Sequence, residues 1–455
     1  MKSKNVDMIN GPLMKKMIAY TIPVILTGLL QLFYNAADLV VIGQFADERA
    51  FAAVGATPSL NAMFVTFFIG LSIGGCICVG QYYGARDAKN VTEAVHTGIL
   101  ISIIFGVAVS VAGILFVEDL LRAMGTHEDI IGLAALYLKI VMAFFPFTLF
   151  YNFAAGILKA AGDTKRPFYI LVFSGLVNVC LNLVFVLVFH MTVEGVALAT
   201  GIGSVINALL GGILLFKTDD MIKVSLKNLK ISKDKMKMIF ANGIPLGVQS
   251  LVFSASNVLI QASVNSFSSI AVVAGNSAAS NIEGFVYTAM NSTANTVLNF
   301  TAQNYGAKKY DRINKILGYG TALVLIVWAL VGGSAVIFGE HLLKIYQPNN
   351  LEAVKYGLIR NSIIGSTYFL CGIMDTVSYV FKGAGKTFLS MLIAVFSIVG
   401  IRVAWILTVF QKYHTLQMLY VSWPITWIGA IIAFYTLYFI QKRKYNKLKA
   451  NKMIT

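Results

Sequence analysis

Asp38, Glu283 and Asp375 are the only three of the chain's 20 acidic residues that fall well inside apolar runs. A charge at the centre of a membrane costs about 2.5–3.5 kcal/mol on insertion scales, so a carboxylate kept there marks an ion or substrate path. Asp38 has polar company: Gln31, Tyr34, Asn35 and Asp38 stand at i, i+3, i+4 and i+7, one face of a helix. A later run carries Ser174, Asn178 and Asn182 at i+4 steps, and the next carries Thr200, Ser204 and Asn207. If these three helices meet, Asp38 gains amide and hydroxyl partners from Asn178, Asn182 and Thr200. Such a site can take up a proton, because burial penalises the charged carboxylate while hydrogen bonds favour it. Its oxygens can equally hold a small hard cation such as Na⁺. The residues alone leave both open. Stripes of Asn and Thr also tie helices together, at below about 1 kcal/mol per bond, but a lone carboxylate is too expensive a fastener.

The second half distributes its polar groups differently. Asn257 occupies the position that repeats Asn35, with no acid nearby. Asn276, Ser280, Glu283, Tyr287 and Asn291 form one long stripe, and Asp375 shares a face with Tyr368 and Tyr379. Gln31, Tyr34, Asn257, Glu283, Tyr287, Asp375 and Tyr379 are therefore expected to line a substrate cavity or a second ion site. Lys139 and Arg402 are the two embedded cations, and both are expected to reach for the membrane surface from span ends. Embedded acids thus outnumber embedded bases.

These residues need elements to hold them, and the composition says which. Hydrophobic residues make up 57% of the chain and charged residues 12%, with mean hydropathy +0.75. Apolar runs of about 20 residues, the length that crosses a bilayer as a helix, predict spans at 17–43, 51–80, 92–116, 130–157, 166–190 and 193–216. The second set is 238–264, 270–302, 313–338, 351–381, 387–410 and 415–440. The runs are continuous rather than alternating, which excludes a barrel. Pro23, Pro146, Pro245 and Pro424 lie inside spans and predict kinks.

The two sets are copies. Ile22-Pro23 returns as Ile244-Pro245, and Gln81-Tyr82-Tyr83-Gly84-Ala85 as Gln303-Asn304-Tyr305-Gly306-Ala307. Lys159-Ala160-Ala161-Gly162-Asp163-Thr164 returns as Lys382-Gly383-Ala384-Gly385-Lys386-Thr387. Six spans per copy bring the second copy into the membrane from the same side, so the repeats are parallel. The expected fold is an all-α membrane protein of twelve transmembrane helices in two six-helix bundles. Residues 1–216 and 238–440 form the lobes, 217–237 a basic cytoplasmic linker and 441–455 a basic cytoplasmic tail.

The net charge of +16 does not point to nucleic acid, because of where it lies. Of 36 Lys and Arg, 28 fall in the termini and in the loops after even-numbered spans. Arg49, Arg122, Lys344, Lys355, Arg360 and Lys412 account for the other side. This asymmetry places both termini in the cytoplasm, with Lys442-Arg443-Lys444 as a lipid-surface anchor. The first span serves as the export signal. Cys76, Cys78, Cys180 and Cys371 all lie in apolar spans and read as packing residues. Gly383-Ala384-Gly385-Lys386-Thr387 has Val380 where a phosphate-binding loop needs glycine, and the five histidines lack metal-ligand spacing. Neither a cofactor, a structural metal nor an enzyme is expected, since no nucleophile, base or metal constellation converges.

The repeated Gln-x-Tyr-Gly-Ala, with the Lys-Ala-Ala-Gly-Asp-Thr type of loop and the twelve spans, resembles the multidrug and toxic compound extrusion family over about residues 12–440. The resemblance implies two six-helix lobes, alternating access, and exchange of H⁺ or Na⁺ for an amphipathic, typically cationic, small molecule. It also implies a functional acid in the first helix, matched by Asp38, and a fifth-helix pair, matched by Asn178 and Asn182. Some branches have Asp at the second of these positions, so Asn182 leaves the lobe with one carboxylate. Asp375 resembles a tenth-helix acid of the family. A monomer in a bacterial plasma membrane is the expectation. The competing readings are a lipid-linked oligosaccharide flippase of the wider superfamily and an exporter of an endogenous metabolite.

Overall fold

The structure is a computed structural model describing residues 5–45 and 48–454; the side chains at 35, 39, 48, 59 and 444–454 also lie outside the description. It is an all-α membrane protein. Twelve helical stretches coincide with the twelve predicted spans. They are α1 Leu13–Phe45, α2 Arg49–Gly84, α3 Ala88–Ala123, α4 Glu128–Ala160, α5 Lys165–Val188 and α6 Val193–Lys217. Then come α7 Lys233–Asn265, α8 Ile270–Gly306, α9 Tyr310–Ile337, α10 Leu351–Gly383, α11 Thr387–Phe410 and α12 Leu416–Arg443. Helices are what an apolar chain forms in hydrocarbon, because each must satisfy its own backbone groups.

Ten of the twelve are long and apolar enough to cross a membrane individually. The other two explain themselves. α4 is a pair, Glu128–Ala143 and Phe145–Ala160, bent by 48°. The break falls at Phe144, and Pro146 opens the second piece, where a ring without an N–H cannot continue the first piece's hydrogen bonds. α8 has 37 residues but six asparagines, and its polarity suits a helix whose faces are covered by protein. The helices also outrun the predicted spans: α3 has 36 residues, about 54 Å at 1.5 Å per residue. Periodicity sees only the apolar middle, whereas capping side chains set the true ends. Asp87 accepts from the Asn90 N–H to start α3, and Asn350 from the Ala353 N–H to start α10. The Asn90 carboxamide also donates to Asp87, and together these bonds hold that carboxyl below the usual range.

The chain divides into two compact units. The first is Met1–Ser250 with Asn299–Tyr310, and the second is Leu251–Leu298 with Asp311–Thr455. The first unit takes in the start of α7 and the last turns of α8 because glycines bring backbones together there. A Cβ on Gly74 of α2 would fall 2.6 Å from the Gly243 nitrogen of α7. Its apolar core joins α1, α2, α4 and α6 through Ile42, Val54, Leu138 and Val193. The duplicated motifs are also conformationally duplicated: Arg86 and Lys308 have φ of 58° and 57°, and Gly162 and Gly385 have 96° and 77°.

In the second unit, π-helical turns interrupt α9 at Trp328–Gly332, α10 at Asn361–Gly365 and α11 at Val395–Gly400 and Ile406–Phe410. Such turns add a residue to a helical turn and rotate the side chains beyond it. One of them directly succeeds Arg360, and two flank the short stretch bearing Arg402.

Candidate ion and substrate site

In the first unit, α1, α5 and α6 meet at Asp38. Asn182 donates to its Oδ1 at 2.5 Å and Thr200 to its Oδ2 at 3.3 Å. Asn178, with its carboxamide turned to satisfy both neighbours, donates to Asp38 Oδ1 at 3.2 Å and accepts from the Thr200 N–H at 3.2 Å. Asn182 is fully buried, yet its own Oδ1 has no hydrogen-bond partner among the described residues. A buried acceptor without a donor is costly. Next to a carboxylate, a cation or a proton is the partner that would satisfy it. The side chain of Asn35 lies outside the described residues.

Asp38 forms part of the wall of a cavity of about 570 Å³. Gln31 and Tyr34 line it from α1, and Ser174, Ser204 and Asn207 from α5 and α6. Ser174 donates to Asn207 Oδ1 at 2.6 Å, and Thr148 to Ser204 at 3.1 Å. The Tyr34 hydroxyl contacts the Leu171 and Val172 carbonyls at 3.3 Å. Its ring lies against Gly175, where a Cβ would fall 1.7 Å from the ring carbon bearing the hydroxyl. Only glycine lets Tyr34 lie there. Tyr137, Tyr151 and Asn61 complete the aromatic and polar lining. Two of them carry a periodic signal that could have found them, since Thr57 stands four residues before Asn61 and Thr148 three before Tyr151, and both line the same cavity.

The second unit corrects the picture of free carboxylates. Glu283 is 6% exposed and is held bidentately by Arg360, whose Nε donates to Oε1 at 2.9 Å and Nη2 to Oε2 at 2.7 Å. Arg360 Nη1 donates to Asn276 Oδ1 at 2.6 Å, and the Tyr420 hydroxyl donates to the same oxygen at 3.2 Å. The stripe through Asn276 and Glu283 therefore serves a buried ion pair. The sequence counts Arg360 among the few cations of the outer side, although within the span 351–381; the structure moves it inside.

Arg402 does not reach for the surface either. It is 6% exposed, donates to Thr426 Oγ1 at 3.3 Å and lies 4.6 Å from the Trp423 ring centre. Its Nε has no partner among the described residues. Lys139, by contrast, is 40% exposed and pairs with Glu118 at 3.4 Å. With Arg360, Arg402 and Lys382 all buried, embedded acids no longer outnumber embedded bases.

Asp375, Tyr287 and Tyr379 do gather. Asn291 donates to the Tyr379 hydroxyl at 2.9 Å and the Tyr287 hydroxyl at 3.3 Å, and it stands beside Asp375. Lys382 lies 4.2 Å from the Tyr379 ring centre. Asn257 is exposed on α7 and is not among them. No group of three His, Cys, Asp or Glu suited to a metal occurs among the described residues.

A duplicated helical membrane bundle with a lone carboxylate beside a polar, aromatic cavity is the architecture of a small-molecule transporter. The MatE family profile matches this chain twice, at residues 23–184 and 245–406. The chain belongs to that family, the multidrug and toxic compound extrusion transporters. It is 26% identical over 440 residues to the probable multidrug resistance protein YoeA of Bacillus subtilis, covering 94% of each chain. It is 24% identical over 382 residues to the probable multidrug resistance protein YpnP of the same organism, covering 84% of this chain and 85% of that one. The fold matches an outward-facing multidrug resistance MATE family transporter of the MOP superfamily at TM-score 0.89 and 21% identity, over 99% of this chain and 100% of that one. A Pyrococcus furiosus transporter of the same superfamily, described as having a binding pocket of reverse polarity, also matches at TM-score 0.89 and 21% identity, with 99% of each covered.

Proposed function

We propose that this protein is a secondary active exporter that moves amphipathic, cationic small molecules out of a bacterial cell in exchange for H⁺ or Na⁺. The observation carrying the reading is Asp38, hydrogen-bonded by Asn182 and Thr200 at the wall of a cavity of about 570 Å³ lined by Tyr34, Tyr137 and Tyr151. Aromatic faces attract organic cations, and the cavity is within the usual size for a drug-sized ligand. A carboxylate that holds the coupling ion while the cavity is without substrate, and gives it up when substrate enters, links the two fluxes. The multidrug relatives support the substrate class. The plasma membrane is the proposed location, with both termini and the 217–237 linker cytoplasmic, as the charge asymmetry favours. Residues 1–216 and 238–440 are the proposed lobes, working as a monomer without a cofactor.

The test is efflux of ethidium from proteoliposomes under a proton gradient or a sodium gradient imposed separately. Export driven by one of them supports the reading and names the ion. Arg402 favours a second reading, a lipid-linked anionic substrate, because a buried guanidinium with an unpartnered Nε suits a phosphate. Absence of gradient-driven export for several cations would move the assignment there.

A further inference from the structure

The segment before α1 is tied to both copies of the repeated motif. On the first-copy side, the Val6 N–H donates to the Gly162 carbonyl at 3.0 Å. Gly162 is in the left-handed region, and a Cβ there would fall 2.5 Å from the Val6 carbonyl oxygen. Asn5 donates to Asp220 Oδ2 at 3.0 Å, and Tyr83 of the first Gln-x-Tyr-Gly-Ala donates to that same oxygen at 2.9 Å. On the second-copy side, Asn304 donates to the Met8 carbonyl at 3.0 Å. Lys309 donates to the Ile9 carbonyl at 3.3 Å and to Asn10 Oδ1 at 2.9 Å. Met8 is fully buried, and Asp7 fixes the turn by accepting from the Ile9 and Asn10 N–H groups.

Beneath this segment the two motifs touch directly. A Cβ on Gly84 would fall 2.0 Å from the Gln303 carbonyl oxygen, and one on Gly306 would fall 1.8 Å from that of Gln81. The Gln303 carboxamide donates to the Ala160 carbonyl at 2.6 Å. The ends of α2 and α8 are thus sealed at backbone contact, with residues 5–10 laid across the seam. All of these groups lie within the first compact unit.

We propose that residues 5–10 are a cytoplasmic latch that holds the seam between the ends of α2 and α8 shut and must release one side of it in each transport cycle. The proposal rests on the transport reading, because alternating access requires the cytoplasmic ends to part in one of its states. A contact made to both sides exists only while the seam is closed, so it biases the equilibrium toward that state by its differential bonds. Backbones at contact distance cannot stretch. They separate or stay together, and the segment is then left attached to one side. None of the latch residues lines the Asp38 cavity, so their effect should be on the balance of states rather than on ion or substrate contact.

Two measurements test it in a background with Cys76, Cys78, Cys180 and Cys371 replaced by serine. The first places spin labels at Lys89 and Lys308 and measures their distance distribution by double electron–electron resonance. Asn304→Leu with Lys309→Gln should raise the long-distance population at least about threefold, the change that about 0.7 kcal/mol of lost bias produces. An unchanged distribution overturns the latch, whether or not the protein transports anything. The second joins Asn5→Cys to Asp220→Cys and Met8→Cys to Asn304→Cys with a short, reducible bis-thiosulfonate linker. With both links formed, ethidium efflux should fall to background and return on adding dithiothreitol. Undiminished efflux from fully linked protein overturns the proposal. Failure of the unlinked protein to export counts instead against the transport reading.

Discussion

Half-buried Asp38 and buried Glu283 differ in what satisfies them. Among the described residues Asp38 is met by neutral donors, Asn182 and Thr200, so its charge stays open to a proton or a cation. Glu283 is neutralised by the Arg360 fork. Breaking a buried pair by removing one partner costs about 3–5 kcal/mol. Glu283→Gln or Arg360→Met alone should therefore lower the melting temperature of the purified protein clearly, and the two together should lower it less than either. Thermal unfolding in detergent reads this directly, and additive losses would contradict the pairing. At the ion site, Asn182→Leu removes both the donor to Asp38 and the unpartnered Oδ1. A polar contact to a charge is worth about 1.5–3 kcal/mol, so losing the Oδ1 ligand should lower the affinity for Na⁺ by about 10- to 100-fold, whereas a proton should be held no less tightly, because the lost donor favoured the charged carboxylate. Ion-dependent protection in the same melts measures it. The Asp38 side of this is half legible in the sequence: helical spacing puts Asn178, Asn182 and Thr200 on the polar faces of their helices, and only the structure shows those faces meeting at Asp38. The Arg360 pair is hidden, because a charge in the polar first turns of the span 351–381 reads as lying at the membrane surface until its partner Glu283 on α8 is seen.

At the scale of elements, single residues decide where helices bend and how closely they approach. Pro146 breaks α4 at 48°, which the sequence indicates through the proline itself. The same bend puts the Pro146 backbone against α3, where a Cβ on Gly106 would fall 2.7 Å from the Pro146 Cα. The π-helical turns of α10 and α11 are not legible, since a single inserted residue leaves the hydrophobic pattern intact while rotating the side chains beyond it. Gly175 is equally silent. No pattern in α5 marks it, yet its missing side chain is what admits Tyr34. Gly175→Val should push Tyr34 into the cavity and lower substrate affinity about tenfold or more while leaving the Asp38 partners in place. Equilibrium binding of ethidium, compared with ion protection in the same variant, separates the two effects. Equal losses of both would contradict this division of the site.

At the scale of the whole molecule, the duplication is readable because it is written in identical residues, and the structure repeats it in closely matching backbone angles at Arg86 and Lys308. Ten of the twelve helices can be read from apolar length alone. The boundaries of the compact units are not readable, because the turns of α7 and α8 that join the first unit are held there by glycine contacts rather than by any change in composition. Gly84→Val and Gly306→Val should each disrupt the sealed seam and reduce transport by at least about tenfold, as backbone contact leaves no room for a branched side chain. The central claim is that Asp38 couples the ion to the substrate. It is tested most directly by comparing wild type with Asp38→Asn in proteoliposomes, measuring gradient-driven ethidium efflux and gradient-free ethidium exchange side by side. The variant is expected to lose the driven efflux and retain exchange. Driven efflux at the wild-type rate in Asp38→Asn would contradict the coupling role.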